Sequence, residues 1–226
     1  MKNAHTEASD RVAVWDIFIR IFHWSLIPLI AFAWFSGDRG GRWLAYHMWD
    51  GYVTLALIAF RILWGFIGST TARFAHFLTS PRRTLAYVRT MRSGASHAHH
   101  GHNPLGGWAV GAMLTCLSIQ VGTGLFATDD ILTTGPLNAL VSGRTADLLT
   151  HIHAVTFDIL LGLIGLHVSA IIVHRIAGKD LVTPMITGWM RTPREVRPPF
   201  FRRAHPWVSA AAILLSALIT YVIVQV

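Results

Sequence analysis

The sequence predicts an all-α integral membrane protein: a four-helix transmembrane bundle followed by one further C-terminal transmembrane helix. Three observations carry that prediction. Of 226 residues, 53% are hydrophobic and 13% charged, with a mean hydropathy of +0.47, whereas a soluble domain carries about 25% charged residues. Five segments reach the roughly 20 mainly apolar residues that a helix needs to cross the hydrocarbon core. The basic residues behind the net charge of +8 sit in the gaps between apolar runs. That is the pattern of topology signals and lipid head-group contacts, which argues for membrane lipid and against nucleic acid as a partner.

Taken in order, the spans are residues 17–36, 44–68, 107–128, 148–176 and 206–226. The first is longer than a signal-peptide core and no small-residue cleavage site follows it, so it is expected to be a retained span. Residues 1–179 hold the four-helix unit, and residues 180–226 a basic linker and the extra helix. No internal repeat is visible. Of the nineteen Lys and Arg residues, fifteen fall in one set of connections and three (Arg39, Arg42 and Arg144) in the opposite set. The positive-inside rule then puts the N-terminus in the cytoplasm and, with five spans, the C-terminus outside. The nineteenth is Arg61, which lies within the second span; an arginine at that depth usually marks function or a buried partner.

Thirteen histidines is a high number for such a chain, and their positions are informative. A buried polar group without a partner costs roughly 2–7 kcal/mol, so each histidine inside a span needs an explanation. In the fourth span His153 and His167 are fourteen residues apart. At 100° and 1.5 Å per residue they share a face within about 40° and lie about 21 Å apart, one near each leaflet. His151 is about 160° away from His153, and His174 only about 10 Å beyond His167. The first span supplies His23 near its start and the second supplies His47 near its own start, at the opposite leaflet. Depth pairs His23 with His167 and His47 with His153.

Two imidazoles at each of two levels are the axial ligand set of two haems. The absence of a C-x-x-C-H motif makes the group b-type, held without covalent attachment. The single cysteine, Cys116, excludes intrachain disulfides and clusters held by several thiolates. Arg61 follows His47 by fourteen residues, on the same face and at the depth of the inner pair, where a propionate would be a charge-assisted partner. Gly51, Gly162 and Gly165 lie beside the proposed ligands and would let a flat porphyrin approach the helix backbones. His102 and Asn103, in GHNP just before the third span, are placed to bond a propionate or a quinone. His97, His99 and His100 read as a solvated loop. Asp50 and Asp158, at membrane depth, are candidates for a proton relay or for a bond to a ligand imidazole.

The stretches VWDIFIRIFHW, FRILWGFIGSTTARFAHFLTSP and GHNPLGGW, with His153 and His167, resemble the prokaryotic cytochrome b-561 family and the related di-haem cytochrome b subunits of nickel–iron hydrogenases and formate dehydrogenases. The resemblance implies a four-helix core with two b-type haems ligated from spans one, two and four, at His23, His47, His153 and His167. It also implies electron transfer between a partner protein and the quinone pool, ubiquinone or menaquinone, with the quinone contact near His102 and Asn103. The tail from Asp180 onward, with RTPREVRPPFFRRAHP, departs from the hydrogenase subunits.

The resulting expectation is transmembrane electron transfer through two bis-histidine haems, between a periplasmic c-type cytochrome or redox enzyme subunit and membrane quinone. The lipid-facing surfaces leave room for a homo-oligomer. Two other readings compete. One is direct oxidation of superoxide at the outer haem, with Arg39, Arg42 and Arg144 steering the anion. The other is a transition-metal carrier built on membrane histidines and the His-rich loop.

Overall fold

A computed structural model describes residues 9–92, 101–129, 133–193 and 201–225. His97, His99 and His100 lie outside the described residues, as do Lys2, His5, Arg194 and Arg197.

Strand β1 (Ser9–Ala13) leads into helix α1 (Ile17–Arg39). Asp16 is the N-cap: one carboxylate oxygen accepts the Ile19 N–H at 2.9 Å, satisfying a main-chain donor that the helix itself leaves unpaired. The other oxygen accepts from the Trp64 indole at 3.0 Å and from the Ser69 hydroxyl, so the start of α1 is pinned to the end of α2 (Arg42–Ile67). Pro28 sits inside α1, as membrane helices permit. The turn from α1 to α2 passes through Gly40 and Gly41, both at positive φ (62° and 54°), where a residue with a Cβ would be strained.

Short helices α3 (Phe74–Phe77) and α4 (Pro81–Arg92) follow α2, with Phe74 of α3 packed against the core of the bundle. Helix α5 (Pro104–Gly124) begins three residues earlier than the apolar run suggests and ends four earlier. Asn103 explains the start: its side-chain oxygen accepts the Gly106 N–H at 2.7 Å, with Pro104 in the first turn, the usual opening of a helix. Helix α6 (Gly143–Ile176) also starts early, capped by Ser142. Helix α7 (Val182–Thr187), closed by Gly188 at φ 86°, feeds strand β2 (Trp189–Pro193). Strand β2 returns antiparallel to β1, with Ser9 opposite Pro193 and Ala13 opposite Trp189. The period-2 signal in such short strands is too weak to read from sequence. Helix α8 (Pro206–Val224) is the fifth long apolar helix, so the all-α, five-span fold class holds.

The centre of the bundle is Phe22 from α1, Ile58 from α2, Leu114, Cys116 and Leu117 from α5 and Leu160 from α6. The Cys116 thiol donates to the Thr156 carbonyl at 3.4 Å, a structural use of the thiol. A second cluster joins Ile19, Phe60, Trp64 and Ala72 to Ala212. Ser209, Ala212 and Ser216 are the buried residues of α8, small side chains that let two helices approach closely.

Candidate functional site

The geometry of the four spanning histidines decides what they can do. The rings of His23 and His167 have centroids 6.3 Å apart and those of His47 and His153 6.1 Å apart. Each pair joins α6 to a different helix, α1 for the first and α2 for the second. A metal–imidazole bond is about 2 Å long, so two rings sharing one ion have centroids about 6 Å apart. Both pairs meet that requirement. A Cβ built on Gly51, Gly162 or Gly165 meets no atom within 4 Å, so the backbone beside the pairs is open. The residues present therefore fit two axially ligated haems.

The His47–His153 pair, near the α1–α2 turn, is held by a device that the sequence did not reveal. His47 Nδ1 lies 3.0 Å from the Ala33 carbonyl and 3.4 Å from the Ser36 hydroxyl. His153 Nδ1 lies 2.9 Å from the Gln120 carbonyl and 3.4 Å from the Thr123 hydroxyl. A carbonyl only accepts, so Nδ1 carries the hydrogen in both rings and Nε2 presents its lone pair, the tautomer a metal needs. Gly37 and Gly124 complete the pattern. A Cβ on Gly37 would stand 3.2 Å from His47 Cε1, and one on Gly124 2.9 Å from His153 Cε1.

Ala33–Ser36–Gly37 at the end of α1 thus repeats as Gln120–Thr123–Gly124 at the end of α5. Each set braces the histidine of the helix that follows. A match of one hydroxyl and one glycine is too short to register as a sequence repeat. The Gln120 amide nitrogen, 3.1 Å from His153 Nε2, donates to that same lone pair, which a metal would have to take over, while its Oε1 is buried with no partner among the described residues.

The His23–His167 pair has no such bracing. His23 Nδ1 is buried with no hydrogen-bond partner among the described residues, and so are Nη1 of Arg61 and Nδ1 of His102. Arg61 is 3% exposed, so it does not reach out to the membrane surface. Its guanidinium carbon lies 5.3 Å from the Phe74 ring centre and 5.8 Å from that of Phe77, cation–π contacts that offset part of its desolvation. A buried donor left unpaired costs about 1–3 kcal/mol, more when charged. The Arg61 guanidinium is thus a buried donor short of an acceptor, with two unpartnered ring nitrogens near it among the described residues.

His102 lies between the rings of Trp15 (centroids 4.7 Å apart) and Phe77 (5.1 Å). Burial, then the positive charge of Arg61, then His167 and His23 push it down to about 4. It is therefore neutral at pH 7. Asn103 spends its side-chain oxygen on the α5 cap, which leaves its amide nitrogen for a ligand. The imidazole bonds considered for Asp50 and Asp158 are made by main-chain carbonyls instead: Asp50 is buried at 7% and Asp158 exposed. His151 is exposed, and His174 bonds the Ala170 carbonyl of its own helix at 2.8 Å. No group of three or more His, Cys, Asp or Glu side chains able to hold a metal ion occurs among the described residues.

A family model described as prokaryotic cytochrome b561 matches residues 14–188. The matched stretch contains both histidine pairs, Arg61, His102 and both bracing sets, and stops before α8. No curated protein and no solved structure matches the chain.

Proposed function

The chain belongs to the prokaryotic cytochrome b561 family, multi-pass membrane proteins that bind haem b and transfer electrons across the bilayer, and on that premise we propose a two-haem wire. His23 with His167, and His47 with His153, each supply the axial imidazoles of one haem. The observation that carries this reading is the pair of ring separations, 6.3 and 6.1 Å. A haem held between the two imidazoles of a pair would supply one-electron chemistry.

The protein's own part is positioning and electrostatics. Ala33 and Gln120 fix the tautomer of one pair through their carbonyls. Gly37 and Gly124 let α1 and α5 press against those imidazoles. Arg61 and His102 offer N–H groups to a propionate or to a quinone oxygen beside the other pair, and the Asn103 amide is within the same region of the chain. We assign that end to the cytoplasmic side of an inner membrane, because fifteen of nineteen basic residues fall in its connections. The N-terminus is then cytoplasmic and the C-terminus periplasmic. The redox partners are membrane quinone at the inner end and a periplasmic c-type cytochrome or enzyme subunit at the outer end. Kinship with the di-haem subunits of hydrogenases and formate dehydrogenases rests on the shared motifs.

Proteoliposomes test this. With a c-type cytochrome trapped inside and the arginine-rich face outside, an added quinol analogue is expected to reduce the cytochrome. His153→Ala should abolish the reduction. Transfer that persists in that variant would rule out a path through both pairs.

A further inference from the structure

A cavity of about 270 Å³ lies away from both histidine pairs, where α1, α2 and β2 meet the segment leading into α8. Its walls include Trp15, Phe18, Phe201, Arg20 and Arg203. The cavity is built by contacts distant in sequence. Arg20 donates from one guanidinium nitrogen to the Ile186 carbonyl at 2.5 Å, which fixes the side chain, while its Nε is buried with no partner among the described residues. Beside Arg203, the main chain of Arg202 is tied to Thr70 twice: the Thr70 N–H donates to the Arg202 carbonyl at 3.1 Å, and the Arg202 N–H to the Thr70 hydroxyl at 3.0 Å. Arg203 itself is exposed and makes no hydrogen bond or ion pair to a described residue. Two guanidiniums thus share one aromatic-walled recess with the Asp16 carboxylate, whose oxygens already accept from Ile19, Trp64 and Ser69.

We infer that this cavity binds the phosphate of an anionic phospholipid head group. A phosphodiester carries one negative charge and two free acceptor oxygens, which the guanidiniums of Arg20 and Arg203 can both address. The rings of Trp15, Phe18 and Phe201 cover the glycerol end. Basic pockets between membrane helices on the cytoplasmic side are suited to such head groups. A quinone, which carries no charge, would not need two guanidiniums.

The test uses the haem-loaded full chain in neutral detergent, following thermal unfolding with phosphatidylglycerol, phosphatidylcholine or inorganic phosphate added. Phosphatidylglycerol is expected to raise the midpoint by several degrees, because a ligand that binds only the folded state stabilises it, and phosphatidylcholine, whose choline cation offsets the charge of the same phosphodiester, by clearly less. Arg203→Gln, at an exposed side chain, should raise the half-saturating phosphatidylglycerol concentration at least tenfold with the haem spectrum unchanged. Arg20→Lys, which keeps the charge but removes Nε, should weaken it less. An equal response to inorganic phosphate would uphold the phosphate chemistry and assign the free ion as its source. Equal stabilisation by the two lipids, an undiminished response in both variants, or displacement of phosphatidylglycerol by a quinone analogue would overturn the inference.

Discussion

The two histidine pairs have nearly the same ring separation, yet the chain holds them by opposite means. Around His47 and His153 every Nδ1 has a carbonyl partner, and a glycine stands against each ring. Around His23 and His167 the notable groups are buried polar nitrogens with no partner among the described residues: His23 Nδ1, Arg61 Nη1 and His102 Nδ1. The first pair is preorganised by its neighbours. The second is set among unpartnered ring nitrogens and one buried cation, whose guanidinium needs an acidic or carbonyl acceptor to complete it. A ligand site can thus be specified either by fixing the ligating atoms or by surrounding them with unmet demand, and this chain does one at each end.

The largest effects expected are those that remove a ligand. His47→Ala and His153→Ala should each lose the haem of the braced pair and keep the other. His23→Ala and His167→Ala should do the reverse, and His151→Ala should lose neither. Pigment analysis of the purified variants reads this directly, and loss of both haems together would collapse the distinction between the ends.

Next comes steric pressure on the braced pair. Gly124→Ala places a Cβ 2.9 Å from His153 Cε1, and Gly37→Ala one 3.2 Å from His47 Cε1. Overpacking of that kind costs about 1–3 kcal/mol, so roughly a tenfold loss of haem affinity at that pair is expected for Gly124→Ala. Gly37→Ala should do less, and neither should touch the other haem.

Charge is the lever at the unbraced pair. A nearby cation favours the reduced iron, so Arg61→Gln should lower the potential of that haem by on the order of 60 mV, a tenfold shift in a one-electron equilibrium. The braced haem should stay where it is in the same redox titration. The smallest effects belong to Ser36→Ala and Thr123→Ala. Their hydroxyls lie 3.4 Å from Nδ1, long for a hydrogen bond, and each should cost about 0.5 kcal/mol or less in haem affinity. A larger loss would mean that the hydroxyls, not the carbonyls, hold the imidazoles.

The same contrast explains what could be read from sequence. His153 and His167 were legible because helical geometry turns a fourteen-residue spacing into a shared face and a depth. His23 and His47 followed from depth alone, and the structure brings both proposed pairs together. Arg61 was legible as a buried charge, but not its seat on Phe74 and Phe77, because a cation–π contact leaves no spacing signal. The bracing of His47 and His153 was invisible for a physical reason. It rests on main-chain carbonyls, which every residue has, and on glycines chosen for a close approach across helices. The early starts of α5 and α6 were encoded in Asn103 and Ser142, where a cap outweighed the edge of the apolar run. The β1–β2 pairing joins residues about 180 positions apart through strands of five residues each, below what periodicity resolves.

The central claim is that two pairs of imidazoles each hold one iron. The protohaem content of the purified full-length chain, measured with electron paramagnetic resonance on the same sample, tests it most directly. Two protohaems per polypeptide, both low-spin and coordinated by two nitrogens, is the predicted result. A ratio of one, or a high-spin iron with an open axial position, would contradict it.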